Sequence, residues 1–382
     1  MKVLINRLKN AAIRKIITFS QRMNFPMRNT RDKTQSRFLI ISTTGIGDTL
    51  WGTPSIHALR ETFPECYISV LTNPVGFEIL KENPDINDLY IFKRGLAGYF
   101  GLPGLLKQLK KKNIDTAFIF HASDRILWPI CFFSGAAEII GFKGQNKGLD
   151  FILTKAVNLQ NNIHGIESRL RLVKEIKVGT SKRAISVYLT DKDREKAKRF
   201  LQGNRINKHS LLIGLHPGAQ KPFKCWPARN FIEVGNILVE SFGCRIIITG
   251  DSNEKALADD IASKIKDAVS AAGKLSLRET AAVIERMNLF ISNDTGTMHI
   301  SFALRTPTVA LFSPTDPRLC GPYHAESVSI IEKLKTCDPC IAKKCNKPTC
   351  MEQITVEEVV TKAESLLRKD DKILLETEQL SA

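Results

Sequence analysis

Three short segments place glycine, carboxylate and cationic residues where an apolar run gives way to a helical pattern. The first, Ser42-Thr43-Thr44-Gly45-Ile46-Gly47-Asp48-Thr49-Leu50-Trp51-Gly52-Thr53-Pro54, follows the apolar run 38–42. Gly45 and Gly47 allow a tight turn and a close backbone approach to a ligand. The segment is neither a dinucleotide fingerprint nor a phosphate loop, because Leu50 stands where G-x-G-x-x-G needs its third glycine and no Gly-Lys-Ser/Thr follows. What remains is Asp48, a carboxylate at the mouth of a strand and the start of a helix. It could cap that helix or serve as a general base.

The second segment, His216-Pro217-Gly218-Ala219-Gln220-Lys221-Pro222-Phe223-Lys224-Cys225-Trp226-Pro227, runs into a helix at about Pro227. Lys221 and Lys224 beside free helix N–H groups invite a phosphate, against the alternative of an exposed basic loop. The third is Ile291-Ser292-Asn293-Asp294-Thr295-Gly296-Thr297-Met298-His299. Successive N–H groups of Thr295, Gly296 and Thr297 can form an anion nest, and His299 lies one turn into the following helix. A lone histidine there would suit the core or the surface; beside this turn it suits a phosphate.

Two further clusters admit a metal reading. Asp191-Lys192-Asp193 is an Asp-x-Asp, but Thr190-x-x-Asp193 has capping-box spacing, and capping is the expectation. Cys337, Cys340, Cys345 and Cys350 could hold zinc or an iron–sulfur cluster. Their spacing is tighter than paired zinc knuckles, and loop thiols are the preferred reading.

Positioning these segments requires strands that alternate with helices. Residues 38–42, 67–71, 88–92, 114–120 and a short run near Ile139 read as strands, with helical stretches at 48–63, 75–82, 102–112 and 124–135 between them. After a less regular stretch with a strand expected at 184–189 and a helix at 191–202, the polar residues 203–208 read as a linker. The rhythm then restarts with strands at 211–215, 245–249, 268–270, 288–292 and 308–312 and a last helix at 355–368. The fold class is therefore α/β, with two Rossmann-like doubly wound domains facing a cleft. The expected divisions are a basic amphipathic arm at 1–37, domains at 38–203 and 204–368, and a polar tail at 369–382.

The chain has 382 residues, more than one core ordinarily supports. Its 43% hydrophobic and 25% charged content is that of a globular protein. The net charge of +17 points to an anionic partner. About half of that excess sits in residues 1–37, which hold ten basic residues and one acid. Residues 3–19 read as an amphipathic helix with Ile5, Leu8, Ala12, Ile16 and Phe19 on one face, suited to an anionic bilayer surface or to docking on the protein itself. Neither a transmembrane span nor a signal peptide is expected. The chain is expected in the cytoplasm, peripheral to the inner membrane. The body carries no nucleic-acid recognition signature, so nucleic acid is not an expected partner.

The three segments, in this order, resemble the lipopolysaccharide heptosyltransferases of glycosyltransferase family 9. Residues 39–63 resemble the family's first βα unit, and residues 216–227, ending Lys-x-Trp-Pro, its donor loop. Residues 293–299, followed by Pro307 and Phe312-Ser313-Pro314-Thr315-Asp316-Pro317, resemble its most diagnostic block. The resemblance implies the GT-B pairing of an acceptor half with a donor half, a nucleotide-sugar donor such as ADP-heptose, a lipid-linked glycan acceptor, and inversion at the anomeric carbon. It implies Asp48 as base, Lys224 as the donor-phosphate lysine, and Asp294, Thr295, Gly296 and His299 as the phosphate turn. Gly45, Gly47 and Arg125 fall on the acceptor side. No metal is expected, because that much fixed positive potential suffices for the leaving diphosphate. A nucleotide-sugar epimerase or hydrolase on the same fold is the alternative activity. The long basic segment before residue 38 departs from the family's compact start.

Overall fold

The computed structural model describes residues 2–22, 35–323, 327–337, 345 and 349–380. The chain divides into two compact units, residues 1–185 and 186–382.

In the first unit, helix α1 (Lys2–Arg22) precedes strand β1 (Arg37–Ser42). Then follow α2 (Ile46–Leu50), α3 (Thr53–Thr62), β2 (Tyr67–Thr72), α4 (Pro74–Leu80), β3 (Asp88–Ile91) and α5 (Leu96–Lys111). The unit closes with β4 (Thr116–His121), α6 (Leu127–Phe133), β5 (Glu138–Phe142), β6 (Lys155–Val157) and α7 (Gly165–Lys174). The six strands form one parallel sheet in the order β3-β2-β1-β4-β5-β6. Leu39, Ile41, Ile119 and Leu127 lie in its core.

The second unit begins with α8 (Asp191–Gly203), β7 (Leu212–His216), α9 (Ala228–Phe242), β8 (Arg245–Ile248) and α10 (Lys255–Ser263). Next come β9 (Val269–Ser270), α11 (Leu277–Glu285), β10 (Leu289–Asn293), α12 (Gly296–Ala303) and β11 (Thr308–Phe312). It ends with α13 (Pro317–Cys320), β12 (Val328–Glu332), α14 (Thr349–Glu352) and α15 (Val356–Leu380). Its parallel sheet runs β12-β11-β10-β7-β8-β9. The first and fourth strands of each sheet are neighbours, β1 beside β4 and β7 beside β10, so the strand order reverses between them. In open α/β sheets ligands bind outside the carboxyl ends of the strands at such a reversal.

The expected α/β architecture of two doubly wound sheets is present, and the departures from the expected elements have local causes. Residues 184–189 form no strand. Their carbonyls are taken by side chains instead: Arg278 donates to Tyr188 O at 2.7 Å and Arg194 to Leu189 O at 3.2 Å. The chain divides before α8 rather than at residues 203–208, because α8 packs on α11 through the pairs Lys196–Glu279, Arg194–Glu285 and Asp193–Arg278. Strand β12 was not expected, and α15 takes in much of what reads as a polar tail.

The amino-terminal helix takes one of its two expected placements, docking on the protein itself. Helix α1 is docked on the first unit by the face opposite Ala12, Ile16 and Phe19: Ile17 is buried in the core and Ile13 packs against it. Ala12 is exposed, and Ile16 and Phe19 are 55% and 65% exposed. Three of the basic arm's residues, Arg28, Arg31 and Lys33, lie outside the described residues, as do the side chains of Ile5 and Leu8.

Candidate functional site

In the first unit the site is built at the β1/β4 reversal. The chain leaves β1 through Thr43, whose N–H donates to His121 O at 3.0 Å and whose Oγ1 accepts from Ser123 N at 2.9 Å. The ends of β1 and β4 are thereby tied together. Gly45 is the residue before α2, and its exposed backbone has no atom within 4 Å of where a side chain would start, so a ligand can approach it. Gly47 lies in the first turn of α2 and accepts from Trp51 N at 2.9 Å.

Asp48 is the third residue of α2 and is not its cap; Gly45 stands at that position without a side-chain bond. The carboxylate is held from α7. His164 caps that helix, accepting from Ile166 N at 3.1 Å, and its ring meets Trp51 edge-on at 5.8 Å. Gly165 packs so closely on the Trp51 indole that a Cβ would lie 2.4 Å from it. One turn later Arg169 donates to Asp48 Oδ1 at 2.7 Å, stacks 5.2 Å from the Trp51 ring, and donates to Gly165 O at 2.9 Å. The Arg169 side chain is 8% exposed and that of Asp48 29%. Burial lowers the guanidinium pKa from its ordinary value, and the Asp48 carboxylate works against that shift. Among the described residues Asp48 Oδ2 has no hydrogen-bond partner. Arg125 follows β4 at the same end of the sheet, where its Nη1 donates to Asn10 Oδ1 at 2.8 Å.

In the second unit the site forms at the β7/β10 reversal. Asn293, the last residue of β10, accepts from Trp226 N at 3.1 Å and donates to Pro217 O at 2.7 Å, joining the turns after β7 and β10. Trp226 is itself anchored by its indole N–H on Ile354 O at 2.9 Å. These bonds set Lys224, at the end of a 3-10 turn, 2.5 Å from Asp294 Oδ2, which also accepts from Thr315 Oγ1 at 2.5 Å. Thr295 is the cap residue of α12 but makes no side-chain cap bond, leaving the first-turn N–H groups for another acceptor. The hydroxyls of Thr297 and Ser313 are buried without a hydrogen-bond partner among the described residues. Unpaired buried hydroxyls of this kind are costly unless a ligand or water meets them. His299 is buried and packs edge-on against Phe302 at 5.7 Å. Lys221 is exposed. His216 is a core residue: its Nδ1 meets Thr249 Oγ1 at 2.9 Å, and burial lowers its pKa to about 4, leaving it neutral at pH 7.

Sequence reasoning missed Arg169 and Thr315 as partners of Asp48 and Asp294. Arg169 lies in a helix with no motif, whereas Thr315 sits inside the quoted Ser-Pro-Thr-Asp-Pro block. The metal reading of Asp191-x-Asp193 gives way to the capping box: Asp193 accepts from Thr190 N at 2.9 Å and binds Arg278 at 2.7 Å. In the cysteine cluster, Cys337 is exposed and Cys350 buried, while Cys340 lies outside the described residues.

A sequence profile described as glycosyltransferase family 9 (heptosyltransferase) matches residues 105–350. Lipopolysaccharide heptosyltransferase 3 of Escherichia coli (strain K12) is 25% identical over 346 residues, covering 85% of this chain and 96% of that protein. Lipooligosaccharide heptosyltransferase 2 of Campylobacter jejuni is 24% identical over 332 residues, with the same coverage of both chains. Among solved structures, a family 9 glycosyltransferase of Veillonella parvula matches with a TM-score of 0.77 at 23% identity over 87% of this chain and 97% of that one. The ADP-heptose lipopolysaccharide heptosyltransferase II of Escherichia coli matches with a TM-score of 0.73 at 18% identity, over 88% and 99% of the two chains.

Proposed function

Because the chain belongs to glycosyltransferase family 9, the heptosyltransferase family, we propose that it moves heptose from ADP-heptose to a lipopolysaccharide core acceptor, with inversion at the anomeric carbon. The observation that carries this reading is Asp48, fixed through one oxygen by Arg169 and with the other oxygen unpartnered among the described residues. A base must lose neither its position nor its proton-accepting lone pair, and this arrangement keeps both. Asp48 takes the proton of the acceptor hydroxyl as the hydroxyl oxygen bonds to the anomeric carbon. The bond from that carbon to the diphosphate breaks, and ADP leaves with the electron pair.

The second unit receives the donor. Lys224, oriented by Asp294, and the first-turn N–H groups at Thr295, Gly296 and Thr297 hold the diphosphate, with His299 behind them and Lys221 as an outer contact. The unpartnered Thr297 and Ser313 hydroxyls fit the same anion. With these donors in place the reaction requires no metal ion. Gly45, Gly47 and Arg125 line the acceptor side.

No helix among the described residues is long and apolar enough to cross a membrane. The enzyme works at the cytoplasmic face of the inner membrane, where α1 turns Ile16 and Phe19, flanked by Lys15 and Arg22, toward an anionic leaflet.

Thermal denaturation across a panel of nucleotide sugars tests the donor assignment. ADP-heptose at 100 times its Kd should add about 2.7 kcal/mol of stability, with little effect from UDP sugars. Equal stabilisation by every nucleotide sugar would remove ADP-heptose as the specific donor.

A further inference from the structure

The amino-terminal helix is bonded into the acceptor side of the first unit, and one side chain makes the connection. Asn10 Nδ2 donates to Lys147 O at 2.9 Å, while its Oδ1 accepts from Arg125 Nη1 at 2.8 Å. The amide thus spans two loops that follow different strands: Arg125 lies after β4 and Lys147 after β5. Gly148, with φ at +81°, lies so close that a Cβ would fall 2.6 Å from Asn10 Nδ2. Arg14 extends the contact by stacking 4.5 Å over the Phe151 ring.

The connection continues to the catalytic turn. Lys147 Nζ donates to Ser123 O at 2.8 Å, and Arg94 donates to the same carbonyl at 3.1 Å. Ser123 N donates to Thr43 Oγ1, two residues before Gly45. Arg94, Arg125 and Lys147 are therefore gathered at the β4 end of the sheet, with Asp124 the acid among them. Loss of hydration lowers the Lys147 pKa, and the neighbouring Arg94 and Arg125 charges lower it further against the pull of Asp124. Cations held this close repel one another and are favoured by an arriving anion.

We propose that Asn10 is a positioning residue for the acceptor: it fixes the Arg125 guanidinium and the loop carrying Lys147 so that together they bind an anionic group, phosphate or carboxylate, on the glycan. The inference rests on the assignment of Arg125 to the acceptor side. It makes α1 part of the substrate-binding structure, so removal of residues 1–37 impairs turnover in free solution as well as at a membrane.

The test is steady-state kinetics of the full-length enzyme on a soluble, deacylated, phosphorylated core oligosaccharide, with Asn10→Ala, Asn10→Gln, Arg125→Ala and the double variant Asn10→Ala/Arg125→Ala. Loss of a hydrogen bond to a charged group should raise the acceptor KM of Asn10→Ala about tenfold, with donor KM unchanged. Asn10→Gln, which keeps the amide, should recover part of the loss. The double variant should raise acceptor KM by less than the product of the two single effects, since Asn10 acts in part through that guanidinium and in part through the Lys147 loop. A fall in melting temperature with acceptor KM unchanged would reduce Asn10 to a structural contact and overturn the proposal. If Arg125→Ala raises acceptor KM and Asn10→Ala does not, this inference fails and the acceptor assignment stands. If Arg125→Ala has no effect, both fail.

Discussion

Arg169 and Asp48 lie 121 positions apart in sequence, yet the Arg169 guanidinium meets one oxygen of the Asp48 carboxylate at 2.7 Å. The pair ties α7 to the turn after β1. Its geometry separates two jobs that a lone carboxylate would have to combine: Oδ1 is held, and Oδ2 is left for the proton that the proposed reaction transfers.

Asp48→Asn should keep the shape of the turn and remove the base. Turnover should fall by about 10²–10⁴, with donor affinity little changed. Near-normal turnover would show that Asp48 only positions its neighbours.

Arg169→Met should leave the carboxylate present but unfixed. We expect kcat to fall by about tenfold or more, with ADP-heptose KM nearly constant. The change should cost stability as well, because a buried guanidinium that serves Asp48, Gly165 and the Trp51 ring is lost. Melting curves therefore accompany the kinetics: reduced stability with unchanged kcat would make Arg169 a packing residue alone.

Lys224→Ala should weaken ADP binding by about tenfold or more, since a charge-assisted contact to the diphosphate disappears. Lys221→Ala, at an exposed position, should change it much less. Calorimetric titration with ADP reads both. Equal and negligible effects would move the diphosphate away from this loop.

Asp193 provides a pH signature of the second unit. Burial works against its charged form, but hydrogen bonds from Arg278 and Thr190 outweigh burial and hold its pKa at about 2, below the ordinary 3.8. A depressed folded-state value stabilises the protein above the unfolded pKa, and that stability is lost as pH falls from about 4 toward 2. Asp193→Asn should thus cost about 2 kcal/mol at pH 7, and the difference from wild type should shrink through that window. A pH-independent difference would assign the effect to shape rather than charge.

Ile16→Glu/Phe19→Glu alters only the outward face of α1. Binding to anionic vesicles should drop, and salt should release the wild-type protein, since each basic residue near such a surface contributes about 1 kcal/mol. Equal co-sedimentation of both forms at low and high salt would show that this face is not the membrane contact.

Much of the fold was legible because buried parallel strands read as short apolar runs, such as 38–42 and 308–312, separated by helical spacing. Residues 184–189 misled because their alternation of apolar residues has no ladder partner; Arg278 and Arg194 serve two of their carbonyls instead. The turns carrying Asp48, Lys224 and Asp294 were legible because glycine and charge cluster there locally. Arg169 was not, since its role depends on a contact between distant segments and its own helix carries no motif. The docked face of α1 was not legible for a related reason. Both faces of that helix carry isoleucine, and it is the Asn10, Ile13, Arg14 and Ile17 side that meets the first unit, with Asn10 on Lys147 and Arg14 over Phe151.

Mass analysis of the acceptor, with parallel measurement of ADP, tests acceptor-dependent transfer of a heptosyl group from ADP-heptose most directly. Incubation with ADP-heptose and a heptose-deficient core oligosaccharide should add one heptosyl residue per acceptor, release one ADP for each, and yield neither product with Asp48→Asn. Turnover of ADP-heptose at the same rate without acceptor, or an acceptor of unchanged mass, would contradict the account.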